Sequence, residues 1–358
     1  MRIVIIGATG NVGLALVREL DAGETDVEVV GVARRRPKAA PAGVEWISAD
    51  IASDPLEPIV RGADVVVHLA WLIQPGRALD QLRNTNVEGT ARLLTAIGAQ
   101  HVPALVYASS IGAYSPREST TPIDESWPTH GIATSSYSRQ KAYVERMLDD
   151  FEARHGDVRV VRLRPGLIFQ AEASASQRRY FAGPLVPRRL LRPGVLPVVP
   201  HLHGVTFQAV HAEDVAAAYH RAILRDVRGA FNIAPEPILS TADVADLLEA
   251  RPLPMPFALA RTAMDLTWRL RLHPLEPGWL DMAAAIPVLN PARARAELGW
   301  EPAFDGREAL RTVLRGIAEG AAGPTPPLQH MSTGEELLDA ARTGMGQRSS
   351  AELQTPPD

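Results

Sequence analysis

Length, composition and charge place this 358-residue chain among ordinary globular proteins and exclude several classes of function. Hydrophobic residues make up 46% and charged residues 22% of the chain, which predicts a packed core rather than a disordered polymer. The formal net charge is −4. Because such a chain has no basic field to neutralise a phosphate backbone, we expect no nucleic-acid partner.

The chain contains no cysteine, so disulfides, a thiolate nucleophile and a sulfur-ligated zinc site are excluded. A reducing compartment is the simplest interpretation, and we expect a cytoplasmic protein. The apolar run at residues 2–6 is too short for a signal peptide, and no apolar run reaches the roughly 18 residues of a membrane span. His201 and His203 have strand spacing but no third ligand nearby, so we expect no metal site.

In the first half of the chain, short runs rich in valine and isoleucine alternate with helical patterns. The runs predict strands at residues 3–6, 27–32, 44–48, 65–69, 105–108 and 158–163. Helical periodicity appears between them at residues 14–20, 90–97 and 143–151. Because this alternation is typical of parallel βαβ units, we predict an α/β fold of Rossmann type, with a doubly wound parallel sheet.

From about residue 171 the composition changes to proline, arginine and short apolar pieces. We therefore predict a dinucleotide-binding Rossmann core at 1–170, a smaller C-terminal substrate-binding lobe with returning core elements at 171–319, and a largely disordered tail at 320–358. Within the lobe, residues 257–272 predict a packed helix with an exposed basic edge, and a membrane-surface helix is the alternative. A short helix is also predicted at 334–342.

The loop that follows the first predicted strand reads Gly7-Ala8-Thr9-Gly10-Asn11-Val12-Gly13. Gly7 can make a tight turn, Gly10 lets backbone N–H groups approach a pyrophosphate, and Gly13 lets the following helix pack closely on the strand. This spacing alone also fits a plain strand-to-helix turn. The strand before it and the helix after it favour a dinucleotide site, with the helix N-terminus facing the phosphates.

The residues after the second and third predicted strands indicate which dinucleotide binds. A carboxylate normally ends the second strand and accepts the ribose 2′-hydroxyl of NAD, but here Arg34, Arg35 and Arg36 follow it. Arginine favours a 2′-phosphate, so we predict NADP over NAD; a solvated basic turn is the alternative. After the third strand, Asp50 and Ile51 could flank the adenine.

Three residues are candidates for catalysis. Tyr137 and Lys141 stand four residues apart at the start of a predicted helix and therefore share one face. A neighbouring ammonium and a cationic nicotinamide would lower the phenol pKa toward neutral values. Since this spacing also occurs on ordinary helix faces, a third group must support it. Ser110, at the end of the strand at 105–108, could polarise a substrate carbonyl, although serine there is often only a cap.

Together these residues resemble the extended branch of the short-chain dehydrogenase/reductase superfamily, the NAD-dependent epimerases, dehydratases and reductases, over about residues 1–316. Other motifs that carry the resemblance are His68-Leu69-Ala70, Asn86-Val87-Glu88-Gly89-Thr90, Arg164-Pro165-Gly166, Phe231-Asn232-Ile233 and Leu298-Gly299-Trp300. The resemblance implies that Ser110, Tyr137 and Lys141 are catalytic and that Asn86 supports them. With the arginines and the glycine loop added, the predicted cofactor site comprises Gly7, Thr9, Gly10, Asn11, Val12, Arg34, Arg35, Asp50, Ile51, Leu69, Ala70, Ser109, Tyr137, Lys141 and Leu167.

Departures from the family pattern narrow the range of expected substrates. Members that act on nucleotide sugars commonly carry asparagine before a Tyr-Gly pair after the sixth strand, whereas this chain has Leu167, Phe169 and Gln170. The Arg164-Pro165 form is similar to hydroxysteroid dehydrogenases and dihydroflavonol reductases, whose substrates are apolar. Trp71 could line an apolar pocket or pack in the core.

We therefore expect an NAD(P)-dependent oxidoreductase that transfers hydride between nicotinamide and a carbonyl or alcohol carbon of a small apolar substrate. One alternative is a nucleotide-sugar epimerase or dehydratase with tightly bound NAD. Another is a non-catalytic regulator that senses NADP. The resemblance is also compatible with a homodimer.

Overall fold

A computed structural model describes residues 1–23, 27–37, 41, 43–73, 76–183, 186–330 and 334. Its strands are β1 Arg2–Ile6, β2 Glu28–Ala33, β3 Val44–Ser48, β4 Val65–His68, β5 Ala104–Ala108, β6 Arg159–Pro165, β7 Leu167–Phe169, β8 Val198–His201, β9 Thr206–Phe207, β10 Ala209–His211, β11 Gly229–Ile233, β12 Leu239–Ser240 and β13 Arg251–Pro254. Its α-helices are α1 Asn11–Ala22, α2 Glu57–Val60, α3 Leu79–Arg83, α4 Gly89–Ala99, α5 Ser136–Arg154, α6 Ser174–Gln177, α7 Ala212–Leu224, α8 Thr241–Leu247, α9 Phe257–Arg269, α10 Gly278–Ala285 and α11 Gly306–Glu319.

Seven parallel strands form the central sheet, in the order β11-β6-β5-β4-β1-β2-β3. Residues Ile3 to Ile6 are all buried, because helices cover both faces of the sheet. Helices α1 and α7 pack in the core on one face, and α4 and α5 pack in the core on the other. The predicted α/β fold with a doubly wound sheet is confirmed. The strand order reverses between β1 and β4, which is where such sheets bind ligands.

A smaller set of elements follows the sixth strand. The pairs β7/β10, β9/β12 and β8/β13 form three two-stranded sheets, while β11 and α7 return to the central sheet and its helix layer. Helix α11 packs against Ala209 and Leu239 in a separate small core. Among the residues described, no helix has both the length and the apolar character needed to cross a membrane.

Helix α9 is present at the predicted place, and one side of it contacts the protein through Arg261 and Trp268. None of its residues is fully buried, and large apolar side chains are exposed along it together with Arg269. The helix therefore packs less completely than the sequence predicts, and its exposed face is partly apolar rather than only basic.

The first part of the predicted tail lies against the core. Leu328 is buried with Leu14 of α1 and Ala173, and the Thr325 hydroxyl donates to the carbonyl oxygen of Thr9 at 2.8 Å. The predicted helix at 334–342 lies outside the described residues apart from Gly334. A disordered tail beyond residue 330 stays a prediction.

Candidate active site

The glycine loop joins β1 to α1 in a conformation that few side chains would permit. Gly7 has φ of +91°, and its N–H donates to the carbonyl oxygen of Val32 at 2.8 Å. A Cβ on Gly13 would lie 2.4 Å from the carbonyl oxygen of Gly7, so α1 approaches the loop as closely as its backbone allows. Gly10 is the residue that caps α1. The first N–H groups of the helix therefore lie beside the loop, as a pyrophosphate site requires.

A cavity of about 190 Å³ lies at the carboxyl ends of β1, β2, β3 and β4. Its lining contains nine of the predicted cofactor residues, namely Gly7, Thr9, Gly10, Arg34, Arg35, Asp50, Ile51, Leu69 and Ala70. The loop after β4 adds Trp71, Leu72 and Ile73 to the wall. The glycine turn, the two arginines and the concave apolar wall fit a dinucleotide.

Six predicted cofactor residues lie outside this lining, and two of them, Tyr137 and Lys141, are described below. The Asn11 side chain accepts a hydrogen bond from the Gln170 amide at 2.6 Å. Val12 packs against the core, Leu167 lies on β7, and the Ser109 hydroxyl donates to a carboxylate of α5. These residues surround the loop and the sheet edge rather than the cavity.

Three residues of the cavity wall come from parts of the chain that sequence reasoning did not place near the cofactor. Tyr180 comes from the irregular lobe, and Pro326 and Pro327 come from the segment predicted to be a tail. The hydrogen bond from Thr325 to the glycine loop holds that segment there. Proline and threonine in a polar terminal stretch give no periodic signal, so nothing in the sequence pointed to this contact.

Ser110 and Tyr137 lie together at the carboxyl end of β5. Ser110 caps a turn, with its Oγ accepting the N–H of Gly112 at 3.0 Å, and it lies close enough to the Tyr137 phenol to influence the pKa of that group. Tyr137 lies in the first turn of α5, whose start is capped by Ser135. A Cβ on Gly112 would lie 2.9 Å from the Tyr137 ring, so this glycine lets the ring pack flat against the turn.

Lys141 is buried beside this pair. Its Nζ donates to the carbonyl oxygen of Ala108 at 2.6 Å and lies 3.6 Å from the centre of the Trp71 ring. Burial lowers the pKa of Lys141 well below its ordinary value, while the charge of Glu145 acts in the opposite direction. None of the three candidate catalytic residues is in the lining of the described cavity. Trp71 connects the two regions, because it lines the cavity and contacts Lys141.

The Tyr137 phenol is neutral at physiological pH. Burial raises the pKa of Tyr137 to about 12, and the neighbouring Ser110 hydroxyl acts in the other direction. The lowered pKa that the sequence predicts requires the Lys141 ammonium together with a bound nicotinamide, and here the Lys141 amine contacts Ala108 and Trp71. A neutral phenol is the form that can donate a proton to a carbonyl oxygen.

A buried carboxylate fixes the helix that carries these groups. Glu145 is fully buried and accepts bonds at 2.9 Å from both Arg162 and Arg164, and it also accepts the Ser109 hydroxyl. Burial raises the pKa of Glu145, but the hydrogen bonds and charges of the two arginines outweigh burial and bring it to about 2. Glu145 stands four residues after Lys141, so helical spacing could have identified it.

Aromatic rings surround the phenol. The Tyr137 ring centre lies 4.9 Å from that of Trp279 and 6.0 Å from that of Trp71, and Phe181 lies 5.5 Å from Trp279. We call Trp71, Trp279 and Phe181 the aromatic wall. Such a wall favours an apolar ligand over a strongly hydrated one.

Asn86 holds the loop that carries Trp71. Its Oδ1 accepts the N–H of Leu72 at 2.7 Å, and its Nδ2 donates to the carbonyl oxygen of Leu72 at 2.9 Å and to Gln140 at 2.9 Å. Since Gln140 lies on α5, Asn86 ties this loop to the helix of Tyr137 and Lys141. This contact is the supporting role that the resemblance implies.

Comparisons with known proteins concern the family and the fold. The family model described as the NAD dependent epimerase/dehydratase family matches residues 3–234. An uncharacterized protein of Mycobacterium bovis is 28% identical over 314 residues, which cover 87% of this chain but only 29% of that protein. Sterol-4-alpha-carboxylate 3-dehydrogenase (decarboxylating) of Candida albicans is 29% identical over 206 residues, covering 51% of this chain and 57% of that protein.

The fold is also shared with a solved structure. The structure of the UDP-glucose 4-epimerase of Thermus thermophilus in complex with NAD matches with a TM-score of 0.65 and 22% identity. The match covers 90% of this chain and 100% of that chain. At this identity the likeness concerns the fold alone.

Proposed function

Because the chain belongs to the NAD-dependent epimerase/dehydratase family, we propose that it is an NADP-preferring reductase or dehydrogenase of small apolar carbonyl compounds or alcohols. The observation that carries this proposal is the contact between Ser110 and Tyr137 beside Lys141, at the sheet edge that also holds the glycine loop. An ordinary helix face would not bring a tyrosine to a strand-end serine.

Bound NADP would supply or accept the hydride at its nicotinamide ring. The residues of the chain then have separable roles. Ser110 orients the carbonyl oxygen by hydrogen bonding, and the neutral Tyr137 phenol donates its proton to that oxygen during reduction. Lys141, when protonated, favours the resulting phenolate. The aromatic wall excludes water from the reacting carbon.

The preference for NADP rests on the end of β2. Strand β2 ends at Ala33, and Arg34 and Arg35 line the cavity directly after it. Asp50 also lines the cavity, but its carboxylate accepts the N–H of Ala52 in its own turn at 2.9 Å. A 2′-phosphate would therefore meet two guanidinium groups.

Replacing Arg34 and Arg35 together with alanine should weaken NADP binding by about a hundredfold, because charge-assisted hydrogen bonds contribute about 1.5–3 kcal/mol each. The affinity for NAD should change little. Calorimetric titration of both dinucleotides measures this difference. Arg36→Ala is the matched control, since Arg36 is exposed and outside the cavity lining. Equal losses for NAD and NADP would contradict a 2′-phosphate contact.

An apolar substrate is supported by two further observations. The aromatic wall surrounds the phenol, and the Gln170 amide is already bonded to Asn11 rather than available to a diphosphate. The Candida albicans relative is named for a sterol carboxylate, which is also largely apolar. A nucleotide-sugar epimerase and a non-catalytic NADP sensor are less consistent with this set of contacts.

A panel of carbonyl compounds tests the proposed function. With NADPH, steroid-like and aromatic ketones should be consumed together with the reduced-nicotinamide absorbance, whereas UDP-sugars should not. Turnover of UDP-sugars with tightly retained NAD would support an epimerase instead. Binding of NADP without turnover of any compound in the panel would favour the sensor.

A further inference from the structure

Helix α9 presents an apolar face to solvent. Leu259, Ala263, Leu266 and Leu270 follow one another at intervals of four, three and four residues, so they lie on the same side of the helix. The three leucines are 58%, 57% and 59% exposed. We call these four residues the apolar stripe. A water-facing stripe of this kind costs solvation free energy unless another surface covers it.

The opposite side of α9 is fixed to the protein. Arg261 pairs with Asp281 of α10 at 2.7 Å, and the guanidinium of Arg77 lies 3.5 Å from the centre of the Trp268 ring. Arg77 also donates to the carbonyl oxygen of Trp268. These contacts set the rotation of the helix, so the apolar stripe faces outward.

The segment around the stripe is basic although the whole chain is acidic. Residues 251–273 contain four arginines and one aspartate, a formal charge of +3, whereas the whole chain carries −4. Arg261 pairs with Asp281 and Arg269 with Asp265, and Arg251 and Arg271 are exposed. At the end of α9, Arg271 is close enough to Arg77 to lower its pKa, in addition to the larger effect of burial. Arginines therefore lie next to Leu270 and Leu272, which is 48% exposed.

The stripe is also connected to the aromatic wall. Asp281, which anchors Arg261, belongs to the same short helix α10 as Trp279, and Trp279 packs on the Tyr137 ring. Phe181, the third residue of the wall, is itself 36% exposed. Helix α10 therefore joins the anchor of α9 to the aromatic wall.

We propose that the apolar stripe docks on the surface of an anionic lipid bilayer, with Arg269 and Arg271 facing the lipid headgroups. Exposed leucines on one helical face, flanked by basic residues, are the chemistry that such a surface recognises. Docking there would present the aromatic wall to substrates that partition into lipid. That last step rests on the proposed function, whereas the docking itself does not.

Flotation with lipid vesicles tests the docking. The full chain should float with vesicles of phosphatidylcholine and phosphatidylglycerol, and much less with phosphatidylcholine alone. The double substitution Leu266→Glu and Leu270→Glu should lower the vesicle partition coefficient by at least about tenfold, because each leucine loses about 1.5–3 kcal/mol of burial. Leu224→Glu is the matched control, since Leu224 is 48% exposed but lies on α7.

Three results would overturn the docking proposal: no flotation with anionic vesicles, equal flotation with neutral ones, or equal flotation of the double variant. A dimer in light scattering that the double variant dissociates, without vesicle binding, would assign the stripe to a second copy and also overturn it. NADP affinity should be unchanged in both variants, which confirms that they are folded. Failure of the proposed function would appear separately, as vesicle binding without turnover of any carbonyl compound.

Discussion

Tyr137→Phe should lower kcat by a factor of about 10²–10⁴, the usual contribution of a positioned acid–base group. The substitution removes only the hydroxyl that lies beside Ser110. The ring can keep its packing against Gly112 and Trp279. The affinity for NADP should therefore stay within about twofold, well below the tenfold change that 1.4 kcal/mol produces. Steady-state kinetics with a substrate from the carbonyl panel, together with calorimetric NADP titration, measure both quantities.

Tyr143→Phe provides the matched control for that experiment. Tyr143 lies on the same helix, is 45% exposed and faces away from Ser110 and Lys141. Loss of the Tyr143 hydroxyl should leave kcat unchanged. If Tyr137→Phe kept the wild-type kcat, another group would have to supply the proton, and the assigned role of Tyr137 would be wrong.

Glu145→Gln should destabilise the protein by about 3–5 kcal/mol, the usual cost of removing one partner from a buried ion pair. The change leaves Arg162 and Arg164 buried with their main counter-charge removed. Urea unfolding measures the loss in free energy. Asp149→Asn is the control, because Asp149 also pairs with Arg162 but has a side chain that is 63% exposed. It should cost at most about 1 kcal/mol.

The same carboxylate predicts how stability depends on pH. The folded pKa of Glu145 is about 2, below its ordinary value of 4.5, so its contribution is fully present above pH 4.5. It is lost as the pH falls from 4.5 toward 2, because the unfolded chain then binds the proton more readily. The wild-type protein should lose this contribution on acidification, and Glu145→Gln should not. Parallel pH curves for the two proteins would contradict the assigned pKa.

The sequence predicted the central sheet well because the composition of each buried strand is visible within a few consecutive residues. Strands such as Arg2–Ile6 and Val65–His68 consist almost entirely of apolar runs between turn signals, and burial on both faces demands that composition. The glycine loop could be predicted equally well, since Gly7 and Gly13 occupy positions where a side chain would collide with the backbone. The last strand of the sheet, Gly229–Ile233, lacked such a run and was identified only as a motif of the resemblance.

Contacts between distant parts of the chain could not be predicted in this way. Pro326 and Pro327 cover the cavity because contacts between distant residues hold their segment there. The hydrogen bond from Thr325 to Thr9 and the packing of Leu328 on Leu14 are two of these contacts, and no local pattern encodes them. The raised pKa of Tyr137 depends on how Trp71 and Trp279 bury it. The apolar stripe of α9 was visible as helical spacing, but only the contacts of its other face show that it points outward.

Transfer of deuterium from NADPH that carries deuterium at both hydrogen positions of nicotinamide C4 tests the central claim most directly. With a ketone from the panel, the wild-type enzyme should place deuterium on the carbinol carbon of the released alcohol, one atom for each NADPH consumed, as mass spectrometry would show. Tyr137→Phe should slow this transfer without redirecting it. If the label stayed on the nucleotide while a bound substrate was converted, or no NADPH was consumed with any ketone, the assignment as a net reductase would be wrong.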